Sequence, residues 1–273
     1  MRLTFALGLS HGDMMNQIAP KNILVSYEYK NALTPVKWTP EYLIFDSGAF
    51  SAWSAGKKVD VVGYADWAVE ASKNFPRVVC VNMDVIPGQF GRTSTAAERK
   101  AGMALSLKNA DYLRSRGLNV MEVFHQDEPR EFLDLLISRQ TEKGVLGISP
   151  RNDVQVGRKI EWQKTLTSYL FQTRGKNFPR THGLAVTSFD MLANFPYYST
   201  DSSTWSSPFR FGGYTNEMGK TSKVAKRYGV EKIAYSQSRE SVRHLARQGI
   251  ENQQRMGDAI TTLWAKRGIV WED

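Results

Sequence analysis

Carboxylic acids follow strand-like runs of the chain at three separate places. Asp46, Asp84 and Asp201 each come directly after such a run, and a fourth run ends in His125 and Gln126. A single aspartate in this position is most often the N-cap of the next helix. Three of them on different strands, meeting at one edge of a sheet or barrel, instead favour a shared site.

The chemistry that such a group of acids supports is reaction at a glycosidic bond. One carboxylate can serve as the nucleophile and a second as the acid and base. A third carboxylate can recognise the leaving base by accepting hydrogen bonds from the donors of that base.

The elements that position these acids alternate between strand-like and helix-like segments. The strand candidates are Leu3–Gly8, Asn22–Tyr27, Tyr42–Phe45, Arg77–Met83, Asn119–His125, Val145–Ser149, His182–Val186 and Tyr197–Thr200. The helix candidates between them are Val61–Asn74, Ala96–Arg116, Arg130–Glu142, Val156–Thr173 and Phe189–Asn194. This alternation predicts an α/β fold, a (β/α)8 TIM-like barrel. A doubly wound open sheet is the alternative, but no Gly-x-Gly-x-x-Gly follows the first strand.

The charge of the chain favours an anionic partner. Lys and Arg number 36 against 27 Asp and Glu, which gives a net charge of +9. The segment 207–273 holds 12 basic and 7 acidic residues, a surplus of five. We interpret 1–273 as a single barrel domain whose segment 207–273 is a basic, mainly helical appendage. Its predicted elements are the helix Asn216–Tyr228, the strand Lys232–Tyr235 and the helix Glu240–Lys266.

Two basic stripes in this appendage favour nucleic acid as the partner. Arg239, Arg243 and Arg247 recur at every fourth residue, which places them on one helical face where they can contact phosphates. Lys220, Lys223 and Lys226 recur at every third residue. A solvated basic face is the common alternative for each stripe.

Six short segments resemble, in order, the motifs of the tRNA-guanine transglycosylase superfamily. They are Asp46-Ser47-Gly48-Ala49-Phe50, Asn82-Met83-Asp84, Phe124-His125-Gln126, Gly147-Ile148-Ser149, His182–Val186 and Thr200-Asp201-Ser202. The resemblance covers roughly Tyr42 to Trp205. The segment Asp201–Trp205 and the compact length are most similar to the phage and bacterial branch that inserts 7-deazaguanine bases into DNA.

The resemblance implies a role for each motif residue. Asp201 would be the nucleophile, Asp46 the acid and base, and Asp84 the group that binds guanine. Gln126 and the backbone of Gly147 would contact the carbonyl side of the base. The motif also implies Ser47 and Phe50 in substrate binding, with Phe50 and Trp53 stacking on a flipped base.

Several of these residues also have an ordinary structural interpretation. Asp201 could open a serine-rich turn, and Asp46 could cap the segment Ser47–Ser54. Phe50 and Trp53 could belong to ordinary packing at the barrel mouth. The histidines His125 and His182 are expected to be structural and not catalytic.

The chain departs from the tRNA enzymes in its cysteine content and its glycines. The zinc site of those enzymes uses several cysteines, whereas Cys80 is alone here, so we expect no metal and no cofactor. The glycine doublets of the family are reduced to Gly48-Ala49 and to Gly147. Base selectivity therefore does not transfer from the family.

The resemblance and the charge together predict exchange of guanine in DNA for a free 7-deazaguanine base. The alternatives are the same exchange on tRNA and a catalytically inactive barrel that binds nucleic acid; a glycoside hydrolase is disfavoured by the basic stripes. The apolar runs are too short to cross a membrane. The expected location is the cytoplasm, or the host cytoplasm for a phage protein.

Overall fold

A ring of parallel strands forms the centre of the structure. The structure is a computed structural model, which describes residues 1–9, 11–57, 59–89, 91–175, 177–206, 213–215, 221–223 and 239–271. The central strands are β1 (Arg2–Ala6), β2 (Asn22–Ser26), β3 (Tyr42–Asp46), β4 (Val78–Val81), β5 (Val120–Met121), β6 (Val123–His125), β7 (Leu146–Ser149), β8 (Thr181–Gly183) and β9 (Ser199–Ser202).

The order of these strands closes the sheet into a barrel. Within the described part of the chain the order is β5-β4-β3-β2-β1-β9-β8-β7-β6, and every neighbouring pair is parallel. Only Glu122 separates β5 from β6, so the two ends of this sheet belong to one interrupted strand. This confirms the predicted (β/α)8 barrel.

Helices connect the strands and cover the barrel. They are α1 (Gly12–Ile18), α2 (Ala49–Ser54), α3 (Val61–Ser72), α4 (Ala96–Ser115), α5 (Arg130–Ser138), α6 (Val156–Arg174), α7 (Phe189–Leu192) and α8 (Arg239–Lys266). A 3-10 segment covers Tyr27–Leu33. The start of α4 is a capping box, in which Thr95 and Glu98 each accept from the other's backbone N–H. The sequence patterns did not predict the short helices α1 and α2.

Two separate cores hold the barrel and its helices. One lies between the strands and the outer helices and includes Phe5, Phe45, Phe124 and Trp205. The other fills the inside of the barrel. It contains Leu24, Tyr42, Ile44, Val79, Val81, Met121, Val123, Val145 and Tyr198. Because apolar side chains fill the barrel interior, polar chemistry is confined to its mouth.

The helix α8 packs along the barrel from its mouth to its base. A Cβ on Gly249 would lie 2.6 Å from the carbonyl oxygen of Trp205, which follows β9 at the mouth. One on Gly257 would lie 3.3 Å from the side chain of Leu3, near the start of β1 at the base. The N-terminal turns of α8 therefore lie at the mouth.

The predicted helix Asn216–Tyr228 is wrong over part of its length. The strand β11 (Thr221–Lys223) lies inside it and pairs antiparallel with β10 (Gly213–Thr215). Both strands contain β-branched threonines, which favour extended backbone over helix. The predicted lysine stripe on a helix is therefore wrong at Lys223. Lys220, Lys226 and the predicted strand Lys232–Tyr235 lie outside the described residues.

Candidate active site at the barrel mouth

The three aspartates singled out in the sequence line one cavity. Asp46 ends β3, Asp84 follows β4, and Asp201 lies in β9, so each is placed at the carboxyl end of a strand. The cavity has a volume of about 190 Å³. Phe50 and His125 also line it. The three acids at strand ends therefore converge on one cavity, as the sequence predicts.

Asp46 is a carboxyl group whose protonated form is favoured by its surroundings. Burial, followed by the negative charges of Asp201 and Asp84, raises the pKa of Asp46 from 3.8 to about 6. Hydrogen bonds from Ser26 and from the N–H of Gly48 oppose this rise in pKa. A carboxyl with a pKa near 6 can both donate and accept a proton at neutral pH.

The turn after Asp46 depends on a glycine. Gly48 has a φ of 74°, in the left-handed region that side chains disfavour. This turn directs the Gly48 N–H to Asp46 Oδ2 at 3.3 Å and begins α2. Ser47 is buried, and its Oγ accepts from the N–H of Ala49 at 3.3 Å. Asp46 is therefore not the N-cap of α2, because Gly48 holds that position.

An aromatic pair stands at the edge of the cavity. The side chain of Phe50 is 43% exposed, and its ring lies 5.9 Å from the ring of Trp53. The indole N–H of Trp53 donates to the carbonyl of Gly88 at 2.9 Å, which fixes its ring. Phe50 is thus a partly exposed aromatic side chain in the same cavity as the three aspartates.

Asp201 is oriented by two donors. Nε2 of His182 lies 3.2 Å from Asp201 Oδ1, and the N–H of Ala185 donates to the same oxygen at 2.8 Å. Among the residues that the structure describes, the hydrogen bonds to Asp201 fall on Oδ1, and Oδ2 accepts none.

The side chain of Asp84 is more buried than its position after a strand suggests. Its side chain is 6% exposed, and Oδ2 lies 2.6 Å from Nε2 of His125. Burial lowers the pKa of His125, but the Asp84 carboxylate outweighs this, so the pKa of His125 is raised. Glu128 accepts from the backbone N–H of His125 at 2.7 Å, and burial raises its pKa to about 7. Asp84 is thus a member of a buried polar cluster.

Gln126 lies beside the main cavity, in an adjoining one that shares Phe50, His125 and other residues with it. Its Oε1 accepts from the N–H of Arg151 at 3.0 Å. Arg151 is itself held by both oxygens of Asp153 at 2.9 and 2.6 Å. With Oε1 anchored, the amide NH2 is the end of Gln126 that can donate to a base carbonyl.

Gly147 does not reach the cavity. It lies within β7, and its N–H donates to the carbonyl of Glu122 at 2.7 Å as part of the barrel. The N–H of Gly147 is therefore already bonded within the barrel, and the predicted contact of the Gly147 backbone with a base stays a prediction. Ser149, two residues further along the same strand, does line the cavity.

Two of the predicted phosphate-binding arginines lie at the mouth. Arg243 is half-buried and Arg247 is exposed, and both precede Gly249 in the first turns of α8. The side chain of Arg239 lies outside the described part of the structure. Arg243 and Arg247 are thus on the same side of the barrel as the three aspartates.

His125 and His182 each contact one of the aspartates of the cavity, which their sequence context does not predict. Each was expected to be structural, and each does make structural hydrogen bonds, but the partners are the carboxylates Asp84 and Asp201. These contacts join separate strands, so no local pattern reveals them. The available signal was that His125 ends β6 at the same barrel edge as the acids.

In the described ranges, no group of three His, Cys, Asp or Glu side chains is arranged to hold a metal ion. None of the helices in those ranges is both long enough and apolar enough to cross a membrane.

The fold and the site define a (β/α)8 barrel protein with a cluster of carboxylates at its mouth. No family model matches the chain, and no curated protein matches it. Among solved structures, it is similar to a D-allulose 3-epimerase from Methylomonas sp. in complex with D-allulose. The identity is 11% and the TM-score 0.45, over 93% of this chain and 97% of that one. A similarity this remote indicates nothing about the substrate of this chain.

Proposed function

We propose that the protein is a transglycosylase that exchanges guanine in DNA for a 7-deazaguanine base through a covalent glycosyl-enzyme. The observation that carries this proposal is the unequal environment of two acids in one cavity. Asp46 has a raised pKa near 6, and Asp201 is fixed by donors on one oxygen. Separate acid and nucleophile roles require such a difference.

The first displacement releases guanine. Oδ2 of Asp201 attacks C1′ of the target deoxynucleoside as the C1′–N9 bond breaks. The electron pair of that bond leaves with guanine, which takes the proton of Asp46. The products are a deoxyribosyl ester of Asp201, free guanine and the Asp46 carboxylate.

The second displacement inserts the new base. Asp46 accepts the proton of N9 as N9 of the 7-deazaguanine attacks C1′. The bond from C1′ to Asp201 breaks, and its electron pair returns to the carboxylate. Two displacements at C1′ retain the β-configuration, as in retaining glycosidases.

Base recognition falls to the remaining residues of the cavity. The carboxylate of Asp84 can accept from N1–H and the exocyclic amino group of guanine. The amide of Gln126 can donate to the base carbonyl, and the exposed ring of Phe50 can stack on the base. A base in a duplex must leave the stack to reach these groups.

The preference for DNA over tRNA rests on the resemblance and on the single cysteine of the sequence, Cys80, where the zinc site of the tRNA enzymes uses several. The test is incubation of the purified protein with guanine-containing duplex DNA or tRNA and isotopically labelled guanine or 7-deazaguanine. Digestion and nucleoside mass spectrometry follow. Incorporation into deoxynucleosides is expected. Incorporation into ribonucleosides alone would select the tRNA reaction. If neither nucleic acid incorporates the labelled base, the remaining hypothesis is a catalytically inactive barrel that binds nucleic acid.

Replacement of the two described arginines should weaken DNA binding. In the Arg243→Ala/Arg247→Ala variant, we expect the slope of log K against log salt to fall by up to about 2, because two phosphate contacts are lost. Fluorescence anisotropy over a salt series measures this slope. The matched control is Lys143→Ala/Lys266→Ala, which removes the same charge at the base of the barrel. Equal slopes in the two double variants would place DNA elsewhere.

Replacement of Asp84 by Asn should abolish discrimination between bases. An amide presents a donor where guanine also donates, so exchange with guanine should fall at least about 100-fold. The rate of exchange with hypoxanthine, which lacks the exocyclic amino group, should fall less than the rate with guanine. Competition between the two free bases measures this difference. A variant that still prefers guanine as strongly as wild type would assign recognition to another residue.

The choice of Asn over Ala at this position follows from burial. A strand-end acid suggests a residue whose removal spares the fold, but Asp84 is buried and bonded to His125. Asp84→Ala would leave the His125 ring without that partner, and thermal unfolding should show a loss of about 1–3 kcal/mol. Asp84→Asn keeps the shape of the side chain and one acceptor oxygen.

A further inference from the structure

A buried chain of hydrogen bonds ends on the carboxylate of Asp201. Ser199 Oγ lies 2.8 Å from Nδ1 of His182, and Nε2 of His182 lies 3.2 Å from Asp201 Oδ1. The His182 side chain is 0% exposed. A carboxylate only accepts hydrogen bonds, so Nε2 carries the proton. With Nε2 as the donor nitrogen, Nδ1 is placed to accept from the Ser199 hydroxyl.

A second donor reaches the same oxygen from the backbone. The N–H of Ala185 donates to Asp201 Oδ1 at 2.8 Å. Ala185 has a φ of 54°, a conformation that side-chain-bearing residues rarely adopt. This conformation ends the strand predicted over His182–Val186 after Gly183 and turns the N–H toward Asp201. Two donors therefore converge on one oxygen of the proposed nucleophile.

We propose that His182 is a positioning residue that, with the Ala185 N–H, stabilises Asp201 as the leaving group when the covalent intermediate is resolved. This inference rests on the proposed function. As the bond between C1′ and Asp201 Oδ2 breaks, its electron pair returns to the carboxylate and is shared with Oδ1. The donors on Oδ1 are already in place to receive that charge.

The two half-reactions should respond unequally to loss of the His182 donor. Transition states at C1′ resemble an oxocarbenium ion, in which the carboxylate keeps most of its negative charge. The donor therefore stabilises the free carboxylate and the transition state to a similar extent, but the neutral ester much less. Its loss raises the barrier from the ester and leaves the barrier from the free enzyme nearly unchanged.

The experiment measures the two steps separately. Adduct formation is followed with guanine-containing DNA and no free base, and adduct resolution is followed after a chase with excess free guanine, both on quenched denaturing gels. In His182→Phe, we expect resolution to slow at least about tenfold, with formation changed less than about threefold, and the adduct to accumulate at steady state. His182→Gln, whose Nε2 can replace the histidine donor, should restore resolution.

A second variant keeps the test open if His182→Phe does not fold, as judged by thermal unfolding. Ser199→Ala removes the partner that fixes the imidazole ring but keeps the ring itself, and should slow resolution more than formation. Equal slowing of both steps, or a His182→Gln variant as slow as His182→Phe, would overturn the inference alone. Wild-type protein that forms no adduct with DNA or tRNA would overturn the proposed function as well.

Discussion

Asp201→Asn is expected to form no covalent species with DNA and to lose base exchange by at least about 10³-fold. The amide oxygen of Asn is a poor nucleophile, whereas its size preserves the contact with the Ala185 N–H. The variant should therefore still bind DNA. A denaturing gel of protein incubated with guanine-containing DNA, with and without free guanine, measures the adduct directly.

The matched control for this variant is Asp190→Asn. Asp190 is an exposed aspartate in α7, so the same chemical change there should leave the adduct and its turnover at the wild-type level. An adduct that persists in Asp201→Asn would eliminate Asp201 as the nucleophile. Peptide mapping of the trapped species would then decide between Asp46 and Asp84.

Asp46→Asn is expected to slow both half-reactions by about 10²–10⁴-fold, because an amide neither protonates guanine nor deprotonates the incoming base. The wild-type rate of adduct formation should fall as pH rises above about 6, since the pKa of Asp46 lies there. In Asp46→Asn the residual rate should lack this pH dependence. A pH series of quenched gels on both proteins is the measurement, and an unchanged pH profile in the variant would assign the acid to another residue.

The same substitution should stabilise the fold at neutral pH. The pKa of Asp46 rises from 3.8 to about 6 on folding, so the folded state binds the proton more tightly. The free energy of unfolding therefore falls as pH rises from about 4 through 6, and this cost persists at higher pH. Asp46→Asn removes the ionisation and should gain up to about 3 kcal/mol at pH 7.5 but little at pH 4. Denaturant unfolding at both pH values, with Asp190→Asn as the control, tests this.

The strand ends were the part of the site that the sequence could predict. An apolar run followed by Asp46 or Asp84 is a local pattern, and parallel strands bring such ends to one edge. The donors to Asp201 could not be predicted, because His182 and Ala185 lie in a different strand and turn, and their contacts depend on the register of β8 against β9. The sequence lacked the same information at Gly147: only the barrel shows that its N–H already donates to the carbonyl of Glu122, between β5 and β6.

Helix boundaries could likewise be predicted where a local pattern sets them and not where the tertiary fold does. Long segments with clear stop signals, such as α4 before Gly117, were predicted to within one residue. The short helix α2 was missed because it follows Gly48, whose left-handed turn accompanies a hydrogen bond from its N–H to the half-buried carboxylate of Asp46. The hairpin of β10 and β11 was missed because spaced lysines around Lys223 mimic a helical period.

The pairing of β1 with β9 has a consequence for how the protein acquires its site. Thr4 is the register partner of Asp201 although the two lie 197 positions apart along the chain. Closing so long a loop is entropically costly, and pairings of this kind form late in folding. Neighbouring strands such as β2 and β3 can pair much earlier. We therefore expect an ordering in time: most of the barrel assembles first, and Asp201 takes its place when the ring closes.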